Sequence, residues 1–266
     1  SKDLKFQLKS TKSIFLKFLM IRWHSFLRMQ IKVAKKLNSV IVVSESSKQD
    51  IHDDFGLKKE AMKVILNGID TEAFFPDENI KKIPFRIVTS ASSDVPLKGL
   101  DYLLEAFSEV IKIFPDSTLQ IIGSSKQGGH TSRKINDLNI KEKVQFNNDL
   151  SFKEVRDLYC SADVVVIPSL YEGFGFAIGE AMACRVPVIT TSGGAIPEVI
   201  EDCGILVSPG NSKELEEAMI KLLPDEEKKS FFAEKGFNRI IEHLKWEKVA
   251  KLMTESYETE INRTTN

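Results

Sequence analysis

The chain has 266 residues, with 37 Lys/Arg against 38 Asp/Glu and a formal net charge of −1. Charges that nearly cancel supply no whole-chain field for a polyanion, so no nucleic-acid partner is expected. Cys160, Cys184 and Cys203 are scattered and odd in number, which fits neither a disulfide framework nor a metal site. His24, His52, His130 and His243 are equally isolated, so no metal is expected either.

No apolar run reaches the roughly 20 residues that a bilayer-spanning helix needs. The run 13–21 is basic on both flanks and lacks a small-residue cleavage site, unlike a secretory leader. The expected localisation is cytoplasmic. The first 36 residues carry ten Lys/Arg against one Asp, interleaved with Ile14, Phe15, Leu16, Phe18, Leu19, Trp23 and Phe26. This reads as a basic amphipathic helix that either packs on a neighbouring domain or lies on an anionic membrane surface as a peripheral contact. The chain begins at Ser1 and its first forty residues read as the middle of a domain, so upstream sequence is expected.

Two β-branched runs, 39–44 and 63–67, flank a helical stretch from Ser46 to Phe55. They are too few to close a core and look like the tail of an α/β domain covering residues 1–70. A polar, proline-bearing linker follows at 71–84. From Phe85 the pattern becomes regular. Short apolar runs at 85–90, 118–123, 143–147, 162–168, 186–190 and 204–207 suit a parallel sheet covered on both faces. Between them, Leu100, Leu103, Leu104, Phe107, Val110, Ile111 and Phe114 recur at helical spacing, with shorter helical patterns at 132–138, 152–160, 176–183 and 212–223. Alternation of this kind predicts a doubly wound α/β domain over 85–245, and 246–266 reads as a closing amphipathic helix.

Ligands of open parallel sheets sit beyond the carboxyl ends of the strands. Two loops hold that position. After the strand at 162–168, Glu172-Gly173-Phe174-Gly175 turns into a helix whose amides favour anions; an ordinary strand-to-helix turn would look the same. After the strand at 85–90, the segment 90–99 is rich in small hydroxylated residues, including Ser92 and Ser93, and ends on Lys98-Gly99. Lys98 stands where an ammonium reaches a phosphate. Glu180 follows Glu172 by eight positions. Catalytic carboxylates of glycosidases lie about 5–9 Å apart across one bond. A loop residue and a mid-helix residue fit separate contacts on an elongated ligand better.

These residues resemble family 4 (group 1) glycosyltransferases of the GT-B fold. The resemblance rests on Glu172-Gly-Phe-Gly-Phe-Ala-Ile-Gly-Glu180-Ala-Met-Ala183, supported by 65–70, 97–107, 186–190, 193–199 and 204–207 in order along about 200 residues. It implies a nucleotide-diphosphate-sugar substrate, a saccharide or lipid-linked acceptor, and transfer with retention in cell-envelope polysaccharide or glycolipid synthesis. No cofactor is implied. Residue by residue, it places Lys98 on the donor diphosphate and Glu180 on the ribose. Glu172 with the amides of Gly173, Phe174 and Gly175 would hold sugar and phosphate, Glu172 and Lys98 being the catalytic pair. The segment at Phe146 and Asn147 would lie along the base. The family's arginine in the first loop falls near Ser92 here; the hydroxyls of Ser92 and Ser93, or an Arg elsewhere, are the candidate substitutes, and Lys98 carries more of the phosphate contact. A binding module without transfer activity is the alternative reading. Glu198 and Gly193-Gly194 read as structural.

Overall fold

A computed structural model of the chain describes residues 13–25, 27–124 and 126–265. These divide into two compact units, one ending at Ile65 and the other starting at Leu66.

The first unit contains helices α1 (Ile14–Ser25) and α2 (Leu27–Ala34), then β1 (Val40–Val42), α3 (Glu45–Phe55) and β2 (Met62–Val64). Ser44 starts α3 by accepting the Ser47 amide at 2.9 Å, and Gly56 ends it in the left-handed region. The strands are parallel, Val40 opposite Met62, and bury Val42, Leu57 and Met62. Helix α1 differs from the amphipathic expectation. Its apolar residues Ile14, Phe15, Leu16, Phe18, Leu19 and Ile21 are exposed and nearly consecutive, so they wrap the helix instead of forming a stripe. Phe26 and the side chain of Trp23 lie outside the described residues. No helix among the described residues is long and apolar enough to cross a membrane.

The second unit is built on β3 (Arg86–Ser90), β4 (Thr118–Ile122), β5 (Val144–Asn147), β6 (Val164–Ile167), β7 (Val188–Thr191) and β8 (Ile205–Val207). All pairings are parallel, in the order β5-β4-β3-β6-β7-β8. Between the strands run α4 (Leu100–Ile113), α5 (His130–Asp137), α6 (Phe152–Ser161), α7 (Phe176–Ala183) and α8 (Ile196–Ile200). After β8 come α9 (Ser212–Leu222), α10 (Glu226–Arg239), a π-turn at Ile240–Leu244 and α11 (Trp246–Thr265). The sequence patterns capture the six strands to within two residues at each end. They miss α8 and α10, whose short or weakly periodic faces offer little signal.

Each strand alternates between two apolar layers. Val165 and Ile167 join α6, α7 and α8 on one face; Val164 and Val166 join α4 and α9 on the other. This explains the near-continuous apolar strands. Sequence position and strand order change direction between β3 and β6, and loops leaving those two strands part to opposite faces. That is the switch point at which open α/β sheets bind ligands.

At the opposite end of the sheet the chain is fastened by a buried ion pair. Lys229 of α10 donates to Asp163 Oδ1 at 2.7 Å, while Asp163 Oδ2 accepts the Phe85 amide at 2.9 Å. Both side chains are buried. Removing one partner strands a buried charge, at a cost of about 3 kcal/mol, whereas removing both relieves it. In urea unfolding, Asp163→Ala is expected to lose about that much stability, and Asp163→Ala with Lys229→Met less. Losses that simply add would mean that the pair is not what fastens this end.

Candidate functional site at the strand switch point

The loops after β3 and β6 are built as one piece. Residues 96–98 form a single 3-10 turn closed by Gly99 in the left-handed region at φ +66°. A Cβ on Gly99 would stand 1.9 Å from the Pro168 carbonyl oxygen, so only glycine admits this approach. Leu170 N then donates to Leu97 O at 2.8 Å, joining the two loops.

This junction brings Lys98 and Glu172 together, 74 positions apart in the chain. Lys98 Nζ donates to Glu172 Oε1 at 2.8 Å, and Ser169 Oγ donates to the same oxygen at 2.7 Å. Lys98 stays half-buried and Glu172 more enclosed, with side-chain exposures of 40% and 17%. The loop after β7 braces the other side. Ala195 N donates to Glu172 O at 2.9 Å, and Thr191 Oγ1 donates to Ser169 O. A Cβ on Gly194 would meet Glu172 O at 2.2 Å, which gives Gly193-Gly194 the structural part read from the sequence.

Helix α7 starts at Gly175, left-handed at φ +103°, without a side-chain cap. Its first turn bond runs from Ile178 N to Gly175 O at 3.0 Å, so the Phe176 and Ala177 amides have no acceptor within the helix. Phe174 is buried and its ring meets Phe176 edge-on, leaving only its backbone for a ligand. Gly173 is different. A Cβ there would meet nothing within 4 Å, so the fold itself does not require glycine at that position.

Glu180, one turn further along, does not join Lys98 and Glu172. It lines a pocket of about 270 Å³ with Gly68, Ile69, Phe74, Phe152, Phe176 and Trp246. Burial pushes its carboxyl up to about 7. Beside it, the fully buried Tyr159 hydroxyl faces Glu180 and Ser90 without a hydrogen bond of ordinary geometry. The sequence offered no sign of this aromatic pocket, whose members come from four separate segments.

The remaining predicted residues serve partly as scaffold. Ser93 Oγ accepts the Lys126 amide at 2.9 Å and Ser93 N donates to Ser124 O at 2.9 Å, so Ser93 ties the loop after β3 to the loop after β4. Ser92 is half-buried next to Gly123. Asp94, between them and Lys98, accepts the Thr131 amide at the start of α5, which holds its carboxyl below the usual range. Phe146 packs against the α4 side of the core, and the Asn147 amide donates to Gln120 Oε1 at 3.0 Å. Among the described residues no cluster of three or more His, Cys, Asp or Glu is placed to hold a metal.

Glu180 gives a stability test. Its folded pKa lies above the ordinary 4.5, so its favourable contribution is complete below 4.5 and is lost as pH rises through about 7. Glu180→Gln, neutral throughout, is expected to raise the Tm of the ligand-free chain at pH 8 by about 2–4 °C, with the gap shrinking towards pH 5. A gap independent of pH would contradict the buried carboxylate.

Against known proteins, the family described as "Glycosyl transferases group 1" matches residues 70–239, and "Glycosyltransferase Family 4" matches residues 9–73. The chain is 36% identical over 245 residues to the MMP alpha-(1->4)-mannosyltransferase of Mycolicibacterium hassiacum, covering 91% of this chain and 59% of that protein. It therefore spans little more than half the length of that relative. The C-terminal domain of a glycosyl transferase group 1 family protein (LpcC) from Francisella tularensis superposes with TM-score 0.60 at 26% identity, over 67% of this chain and 99% of that one. Anabaena Alr3699/HepE, solved in complex with UDP and glucose, has the same fold: TM-score 0.79 at 22% identity, over 89% of this chain and 67% of that one. The chain belongs to the group 1 (family 4) glycosyltransferases, and its fold is of the GT-B type.

Proposed function

We propose that this chain is the donor-binding portion of a retaining glycosyltransferase that moves a hexose from a nucleotide-diphosphate donor to a saccharide or lipid-linked acceptor. The observation that carries the reading is the convergence of Lys98, Glu172 and the open start of α7 at the switch point. Lys98 and the α7 amides stabilise the charge that develops on the leaving diphosphate. An ammonium has three donors and only one is taken by Glu172, so Lys98 meets a phosphate oxygen without leaving its partner. Glu172 and the amides of Gly173, Phe174 and Gly175 take the sugar and its phosphate, with Ser92 and Ser93 lining the same loop. The segment at Phe146 and Asn147 borders the base.

Glu180 takes the ribose. Two ribose hydroxyls donate to the carboxylate that burial leaves costly, so binding favours its ionised form and weakens as pH falls below about 7. The mannosyl and α-linked product in the name of the Mycolicibacterium relative supports a hexose donor and retention, since common nucleotide hexoses carry an α phosphate. Cell-envelope polysaccharide or glycolipid synthesis is the proposed setting, with a peripheral membrane contact through the basic stretch of the first 36 residues. The alternative is a donor-binding module without transfer.

Titration with UDP, GDP, ADP and their sugar conjugates tests the site. Lys98→Ala is expected to weaken every diphosphate by about 1.5–3 kcal/mol, roughly 10–100-fold. Glu180→Ala weakens nucleotide and conjugate alike, whereas Glu172→Ala removes mainly the extra affinity that the sugar adds. Equal losses for both ligands in both glutamate variants would sink the two-ended site. Gly173→Ala provides a further check. Its stability should stay within about 0.5 kcal/mol of the parent, yet its affinity for the conjugate should fall, because only a ligand needs that space.

A further inference from the structure

The donor reading names the residues that touch the ligand, but it leaves open what fixes the Glu172 carboxylate in place. Glu172 stands in a loop, and its one charged partner, Lys98, reaches it on a four-carbon stem that has many rotamers. An acceptor that must meet a particular sugar hydroxyl needs a stiffer hold than that.

Ser169 provides it. It is 1% exposed and directly follows Pro168 at the end of β6. Its hydroxyl has a single proton, which goes to Glu172 Oε1 at 2.7 Å. Its carbonyl accepts the hydroxyl of Thr191, itself fully buried, so the backbone of Ser169 is pinned to the end of the neighbouring strand β7. Both protein donors, Ser169 and Lys98, converge on Oε1, and no hydrogen bond to Oε2 is present among the described residues. The carboxylate is therefore split into a held oxygen and a presented one.

We propose that Ser169 is a positioning residue: it locks Glu172 so that Oε2 faces the donor's sugar while Lys98 remains oriented towards the diphosphate. The proposal rests on the donor-site reading above and deepens it. Ser169 itself touches no ligand. Its effect passes through Glu172, which makes the consequence specific. The sugar's share of affinity depends on it and the nucleotide's share does not.

Calorimetric titration of the full chain with UDP and GDP and with UDP-glucose and GDP-mannose provides the test. In Ser169→Ala, the factor by which the preferred conjugate outbinds its bare diphosphate should fall about tenfold, with the diphosphate itself within about twofold of the parent. Ser169→Thr, which keeps the hydroxyl, should restore that factor. In a Glu172→Ala background, where the acceptor is gone, Ser169→Ala should bring no further loss of the sugar's share. Equal weakening of diphosphate and conjugate, or losses that add in the double variant, would show Ser169 to be merely structural and overturn the proposal. If the parent chain bound none of the four ligands, the donor-site reading would fall, and this proposal with it. A parent that binds normally beside an unaffected Ser169→Ala would sink the proposal alone.

Discussion

The approach of Gly99 to the Pro168 carbonyl is the constraint on which the rest of the site depends. With no Cβ and a positive φ at Gly99, the loop after β3 drops onto the end of β6, and the Leu170–Leu97 bond holds it there. Only from that position does a lysine on one strand's loop reach a glutamate on the other's. The ion pair thus bridges the point where the sheet reverses its order, and it does so on the carboxyl edge, where the helix starts also point. A longer side chain at position 99 would separate the two halves before any question of chemistry arose.

The two glutamates of the motif solve opposite problems. Glu172 is compensated by an ammonium and a hydroxyl, so its charge is supported without a ligand. Glu180 is set among aromatic side chains beside the Tyr159 hydroxyl, and burial raises its pKa to about 7. A carboxylate in that condition is costly to ionise in the folded chain. The neighbouring Tyr159 hydroxyl is fully buried and faces the same carboxylate.

The opposite end of the sheet has a different character. There Asp163 and Lys229 are both buried and satisfied, and they attach α10 to the start of β3 through the Phe85 amide. Close by, Cys160 and Cys184 line a pocket of about 330 Å³ together with Lys229 and Asp163. Cysteines that look scattered in sequence are thus neighbours in space, brought together by α6 ending beside α7. Polar contacts at this end fasten α10 to the sheet, while those at the carboxyl end join the loops after β3 and β6.

The sequence alone determined the sheet and marked which strand-end loops carry the candidate site. Continuous β-branched runs at parallel-sheet length, separated by amphipathic stretches, leave little choice of fold, because both faces of each strand must be buried. The Glu-Gly-Phe-Gly turn and Lys98-Gly99 were legible because glycines and charges at strand ends are local signals. Tertiary structure decided the rest. That Lys98 pairs with Glu172, and that Glu180 shares a pocket with Phe74, Phe152 and Trp246, are facts about residues far apart in the chain. That the Asn147 side chain donates to Gln120 on the next strand is likewise a tertiary fact. Helix α1 shows the converse, since its composition was plain but its lack of sidedness follows from the helical register. Periodicity reports which face a residue takes within its own element; which partner it meets there depends on how the strands are ordered and how closely their loops approach.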